Sequence, residues 1–166
     1  MNTIYLTHSK ETIIDSNDYE TVAKFRWYAT KKYKIWYAAR TARKNGRRIT
    51  EFLHRFLLNA KKGQCVDHIN GNGLDNRQSN LRLCSVKQNQ HNRKKYMSAS
   101  SEYKGVCKRR RIKSWVFSAQ ILTNGKQRRI GCFKNEIDAA IAYDIEAVKC
   151  FGKYARLNFP IIRRIK

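Results

Sequence analysis

The sequence predicts an α+β protein made of unlike parts, and three observations carry that reading. Short aromatic and β-branched runs crowd residues 1–50, at the spacing of strands. A polar stretch, Asn92 to Glu102, with Ser98-Ala99-Ser100-Ser101 at its centre, interrupts the chain as a linker does. Beyond it come three strand-like runs and one long helical run. That is the pattern of a three-stranded antiparallel sheet packed on one helix, about the smallest unit that buries a core.

In order, Ile4-Tyr5-Leu6, Thr12-Ile13-Ile14, Phe25-Arg26-Trp27-Tyr28 and Ile35-Trp36-Tyr37-Ala38 read as strands. Turn-forming Asp15-Ser16-Asn17-Asp18 and Asn45-Gly46 punctuate them. Glu51 to Asn59 places Phe52, Leu53, Phe56 and Leu57 on one stripe, which predicts a short helix carrying a packed His54. Past the linker, Lys104 to Arg109, Trp115 to Leu122 and Arg128 to Phe133 read as strands, the last two joined at Asn124-Gly125, a strong hairpin signal. Asn135, with Asp138 three residues on, caps a helix in which Ile137, Ala140, Ile141, Asp144, Ala147 and Val148 recur at helical spacing, and Gly152 ends it. The division expected is 1–50 β-rich, 51–93 catalytic module, 94–102 linker and 103–160 sheet-plus-helix module.

Composition narrows the function. Thirty-six Lys and Arg against twelve Asp and Glu give a net charge of +24, an excess that self-repels unless a polyanion is the partner. Nine basic residues and no acidic one lie between Lys104 and Arg129, on a predicted sheet. Double-stranded DNA is the expected partner. No apolar run approaches a membrane span and the N-terminus lacks a signal-peptide pattern, so no membrane is expected. The five cysteines form no Cys-x-x-Cys pair and read as reduced thiols of a reducing compartment, a bacterial or phage-infected cytoplasm.

The chemistry concentrates at Cys65-Val66-Asp67-His68-Ile69-Asn70-Gly71-Asn72-Gly73, with Asn80 twelve residues after the histidine and Asn89 nine further on. Hydrolysing a phosphodiester requires an activated water, neutralised phosphate charge and a stabilised leaving oxygen. His68 suits the first task as general base, with Asn80 orienting its ring. Asp67 and Asn89 supply hard oxygen ligands to one divalent ion, Mg²⁺ or Mn²⁺ rather than Zn²⁺. Asn70, Asn72 and Asn76 read as loop-shaping residues. His91 would face away from Asn89 on a helix, whereas Arg93, four residues on, would share its face and grip phosphate.

The segment from Leu53 to Arg93 resembles the HNH endonucleases, a branch of the ββα-metal nucleases common among phage and intron homing enzymes. Leu53-His54-Arg55, Asp67-His68-Ile69-Asn70-Gly71 and Asn80-Leu81 match that family's motifs. The resemblance implies a ββα-metal fold for residues 51–93, with metal ligands, base and orienter at Asp67, Asn89, His68 and Asn80. Many relatives use histidines where this chain has Asp67 and Asn89, a change toward harder ions.

Residues 103–160 resemble the APETALA-two type DNA-binding domain of plant ethylene-response factors. The matching stretches are Tyr103-Lys104-Gly105-Val106, Ala119-Gln120-Ile121, Ile130-Gly131-Cys132-Phe133, Asp138 to Asp144 and Leu157-Asn158-Phe159-Pro160. The resemblance implies a sheet laid in the major groove with the helix behind it. Lys104 and Arg109 fall on family contact positions, while Cys107 and Arg129 depart from them. Alternation places Phe117, Ala119 and Ile121 toward the helix and Ser118, Gln120 and Leu122 away from it, with Gln127 and Arg129 beside them. Arg109 and Arg129 suit guanine and Gln120 suits adenine. Arg110, Arg111 and Lys113 suit phosphates from a turn. Trp115 and Tyr143 read as packing residues.

The expected activity is therefore a site-preferring, homing-type DNA endonuclease of phage or bacterial origin, acting as a monomer on DNA. The rival is a DNA-binding regulator with a degenerate nuclease module.

Overall fold

The computed structural model describes residues 1–93, 100–111 and 114–160. The chain folds as two compact units, Met1–Asn89 and Gln90–Lys166, both mixing helices with antiparallel sheets, an α+β fold.

In the first unit β1 (Asn2–Leu6) and β2 (Lys10–Ile14) form a hairpin, followed by the short helix α1 (Tyr19–Ala23). Strands β3 (Tyr28–Lys32), β4 (Ile35–Lys44) and β5 (Arg47–Phe52) make an antiparallel sheet with β4 central. The core gathers Ile14, Val22, Trp27, Ala38 and Leu53, with Ile4, Leu6, Phe56 and Leu57 packed against it. Phe25 to Trp27, expected as a strand, instead leads into β3. Trp27 turns inward there and donates its indole N–H to the Val22 carbonyl at 2.9 Å. This satisfies the one polar group a buried Trp carries.

The helix expected over 51–59 is shorter, α2 (Leu53–Leu57), because Glu51 is drawn into β5. Glu51 lies opposite Arg40 in the β4–β5 register and pairs with it at 2.6 Å. The Arg40 guanidinium also stacks 3.6 Å from the centre of the Phe25 ring. The boundary expected between residues 50 and 51 thus falls inside a strand. The β-rich segment and the motif-bearing segment share one core.

A second hairpin follows, β6 (Cys65–His68) and β7 (Leu81–Cys84), and then α3 (Val86–His91). The loop of residues 69–80 does not hang free. It is clamped to β2: Ile13 N–H donates to the Leu74 carbonyl at 3.0 Å, and Asn76 N–H donates to the Ile13 carbonyl at 2.8 Å. Gly73 allows the approach to β4. A Cβ there would lie 2.4 Å from the Trp36 carbonyl oxygen and 2.6 Å from the Tyr37 ring.

The second unit is a sheet of β8 (Val106–Arg111), β9 (Ser114–Thr123) and β10 (Lys126–Phe133), in the order β10-β9-β8, packed on α4 (Glu136–Phe151). Val106, Ala119, Ala139 and Ala140 form one core cluster, and Ile121, Tyr143 and Ala147 another. Asn135 caps α4, its side-chain oxygen accepting from Ile137 N–H at 2.8 Å, as the sequence predicts. Asp144 is buried on α4 and accepts from the backbone N–H groups of Asn158 and Phe159, at 2.9 and 2.8 Å. The Asn158 side chain in turn bonds both backbone groups of Lys104. One helix carboxylate thus ties the C-terminal segment to the start of the sheet.

Candidate active site

Asp67 and His68 are the last two residues of β6, and the register sets them opposite Arg82 and Leu81 of β7. Alternation along a strand would aim them at opposite faces, yet both are buried, His68 against His54 of α2 and Asn76 of the 69–80 loop. Arg82 grips one oxygen of Asp67, its Nη2 at 2.5 Å and Nε at 2.8 Å from Oδ2. The His68 ring lies 5.0 Å from that of His54 on α2, edge to face, and 5.9 Å from Tyr37 on β4.

Burial lowers the proton affinity of His68, and the Asn76 hydrogen bond, Asp67 and Asp75 offset only part of that. His54 is pushed down to about 3, chiefly by burial and then by His68 and Arg55. Both rings are neutral near pH 7. His54 is the packed histidine the sequence suggests, but it packs against the candidate base. Tyr37 keeps its phenolic proton, its hydroxyl held above the usual range first by burial and then by Asp67.

The loop is a hydrogen-bonded lattice of its own side chains. Asn70 donates to Asp75 at 2.8 Å and accepts from Asn72 N–H at 2.8 Å, and Asn72 accepts from Leu74 N–H. Arg77 forks onto Asp75, holding that carboxyl below the usual carboxylate range. Asn80 belongs to this lattice. Its Oδ1 accepts from Asn70 N–H at 3.0 Å and its Nδ2 donates to the Asp75 carbonyl at 2.7 Å.

The orienting role expected for Asn80 is therefore corrected. Both ends of its amide satisfy backbone groups of the loop, on Asn70 and Asp75. The amide that meets His68 is Asn76, with Oδ1 3.2 Å from Nε2. Spacing along the chain favours neither residue. Arg55, beside His54, donates to the carbonyls of Ala60, Lys61 and Gln64 and so shapes the entry to β6.

Asn89 sits half-buried on α3, which starts two residues after β7 ends. Arg93 lies beyond the end of α3, so the shared helical face expected for it does not exist. Its N–H closes a turn on the Gln90 carbonyl at 3.3 Å. His91 stacks on Phe151, ring centres 3.8 Å apart. Among the described residues there is no cluster of three His, Cys, Asp or Glu side chains able to enclose a metal ion. Asp67 and Asn89 offer oxygen donors only. The Cys84 thiol is raised to about 11, mainly by burial. Such a set fits a hard ion that keeps most of its sphere in water and phosphate oxygens.

Residues 52–91 match a family model described as HNH endonuclease, a span from the end of β5 to the end of α3 that contains Asp67, His68, Asn80 and Asn89. An Acanthamoeba polyphaga mimivirus protein, named as an uncharacterized HNH endonuclease, is 32% identical over 140 residues, 82% of this chain and 68% of the relative. The chain belongs to the HNH endonuclease family. Dehydration-responsive element-binding protein 2C of Arabidopsis thaliana is 38% identical over 61 residues, 37% of this chain but 18% of that protein. No solved structure gives a significant match.

In the second unit Arg109, Gln127 and Arg129 are exposed, on the face of the sheet turned away from α4. Two residues expected on DNA are otherwise engaged. Gln120 is 9% exposed, its amide bonded to Ser118 and Gln127. The Lys104 ammonium donates to the His91 carbonyl at 2.6 Å, and burial lowers its pKa to about 8. Arg110 and Arg111 lie within β8 rather than in a turn, because the strand runs on to Arg111; Arg110 is exposed. Lys113 lies outside the described residues. Tyr143 is core, its hydroxyl raised to about 12 chiefly by burial. Among the described residues no helix is long and apolar enough to cross a membrane.

Proposed function

We propose that the chain is a metal-dependent DNA endonuclease in which His68 is the general base. One observation carries the reading: a buried, neutral histidine beside Asp67 on a hairpin whose loop is hydrogen-bonded in place, inside the segment that matches the HNH model. A neutral imidazole takes a proton from water near physiological pH, which is what general-base hydrolysis requires. Asp67 and Asn89 would hold the ion, Mg²⁺ or Mn²⁺. When bound, it supplies Lewis-acid stabilisation of the phosphate and the leaving oxygen. Arg82 holds Asp67 in place and Asn80 keeps the loop in shape around His68.

In this reading residues 51–93 form a ββα-metal module. Residues 103–160 are an APETALA-two-type reader that confers site preference on double-stranded DNA. Arg109, Arg129 and Gln127 face base edges, and Arg93, Arg110 and Arg111 neutralise phosphate. Gln120 and Lys104 serve the packing of the unit. The biological role is that of a homing-type enzyme of a phage or bacterial mobile element, acting as a monomer. The rival, a DNA-binding regulator, draws on the Arg82 grip on Asp67.

Incubation with supercoiled plasmid decides between them. Relaxed or linear product with Mg²⁺ or Mn²⁺, lost with chelator and poor with Zn²⁺, is the expected result. Uncut plasmid that is nonetheless bound would establish the regulator.

A further inference from the structure

Asn76 and Thr12 are both fully buried, and together with His68 they form a hydrogen-bonded line from the N-terminal hairpin to the candidate base. Asn76 Nδ2 lies 2.7 Å from Thr12 Oγ1, and Asn76 Oδ1 lies 3.2 Å from His68 Nε2. Which end of the amide faces which partner follows from proton accounting. Thr12 has one hydroxyl proton, and it goes to the Leu74 carbonyl at 2.7 Å, since a carbonyl can only accept. Toward Asn76 the hydroxyl oxygen must then act as acceptor, so the NH₂ end faces Thr12. Its second proton points to the Gly73 carbonyl at 3.4 Å. The carbonyl end is left facing His68 and demands a proton on Nε2. A neutral imidazole protonated there keeps its lone pair on Nδ1.

We propose that Thr12 and Asn76 are positioning residues that hold His68 in its Nε2–H tautomer, making Nδ1 the nitrogen that accepts the proton from the attacking water. The second half of that statement rests on the nuclease reading; the tautomer itself does not. Backbone bonds fix the register of the line, because Ile13, next to Thr12, donates its N–H to Leu74 O and accepts at its carbonyl from the N–H of Asn76 itself. Asn80 cannot substitute while its own amide is held by Asn70 and Asp75. A filler amide would be indifferent to the tautomer it met. This one is not, because its orientation is imposed from Thr12.

The full chain, labelled with ¹⁵N in its histidine rings, gives the tautomer by long-range ¹H–¹⁵N correlation near pH 7.5, with His68→Gln assigning the signals. The expected wild-type spectrum shows His68 protonated on Nε2 and not on Nδ1. Thr12→Val removes the hydroxyl and frees the amide to turn. It should introduce Nδ1–H signal and lower single-turnover cleavage about 10-fold with DNA affinity unchanged, the usual loss when an outer partner of a site histidine is removed. Thr12→Ser keeps the hydroxyl and should restore the Nε2–H spectrum. A wild-type His68 protonated on Nδ1 overturns the proposal, as does a folded Thr12→Val with an unchanged ring. If Thr12→Val does not fold, the wild-type and Thr12→Ser spectra decide. The spectrum is read without DNA or metal, so the two readings fail separately. An uncut plasmid with Nε2–H intact sinks the nuclease, and an active enzyme with Nδ1–H sinks the relay.

Discussion

His54 shows how a residue of ordinary type acquires an unusual property from its neighbours. Its ring packs between Phe52, Tyr37 and His68, and its pKa sits near 3 instead of 6.5. Between those two values the unfolded chain binds a proton that the folded chain refuses. The stability His54 contributes is thus complete above about pH 6.5 and is lost as pH falls toward 3, at up to about 1.4 kcal/mol per unit. His68, shifted in the same direction, adds to this. Denaturant titrations of wild type and His54→Gln from pH 7.5 to 4.5 test it: the variant should show the flatter dependence, and equal slopes would place the effect elsewhere. The sequence makes three residues of this hairpin legible, since Asp67, His68 and Asn80 are readable from their motif and lie together at its loop end. It does not show which asparagine meets the ring. Asn76 and Asn80 are both amides near one loop end, and only the path of the backbone separates them.

At the scale of elements, the β1–β2 hairpin belongs to the site. Thr12 and Ile13 hold the loop of residues 69–80 from a strand more than fifty residues earlier, a pairing that no local pattern in the chain encodes. Residues 51–93 expressed alone should therefore fail to fold, although residues 1–93 fold. Amide dispersion in ¹H–¹⁵N spectra of the two fragments checks this, and a dispersed spectrum from 51–93 would make the hairpin dispensable. In the second unit the strands, the Asn124-Gly125 turn and the Asn135 cap are legible because each rests on short-range chemistry. The Asp144 clasp is not, because its partners are backbone N–H groups beyond the end of the helix, on Asn158 and Phe159. Asp144→Ala should destabilise this unit by about 1–3 kcal/mol, since it takes the acceptor from the part-buried backbone N–H donors of Asn158 and Phe159. Thermal unfolding should show the loss, and a change below about 0.5 kcal/mol would mean water replaces the carboxylate. Gln120 misleads for the opposite reason. Strand alternation gives its face correctly, but cross-strand bonding to Gln127 hides its amide.

For the whole molecule, a charge of +24 makes affinity for a polyanion a matter of counter-ion release. If about six phosphates are neutralised, affinity should fall about 10³-fold between 50 and 200 mM salt, and a nearly flat salt dependence would remove the basic surface from recognition. Binding and cutting are then separable, because the basic residues are spread over both units while the candidate base is one buried ring. Single-turnover cleavage by wild type and His68→Ala, with DNA affinity measured on the same preparations, tests that separation most directly. The prediction is a rate lower by about 10²–10⁴-fold with affinity within a few-fold of wild type. Cleavage at the wild-type rate by His68→Ala would contradict it and take His68 out of the mechanism.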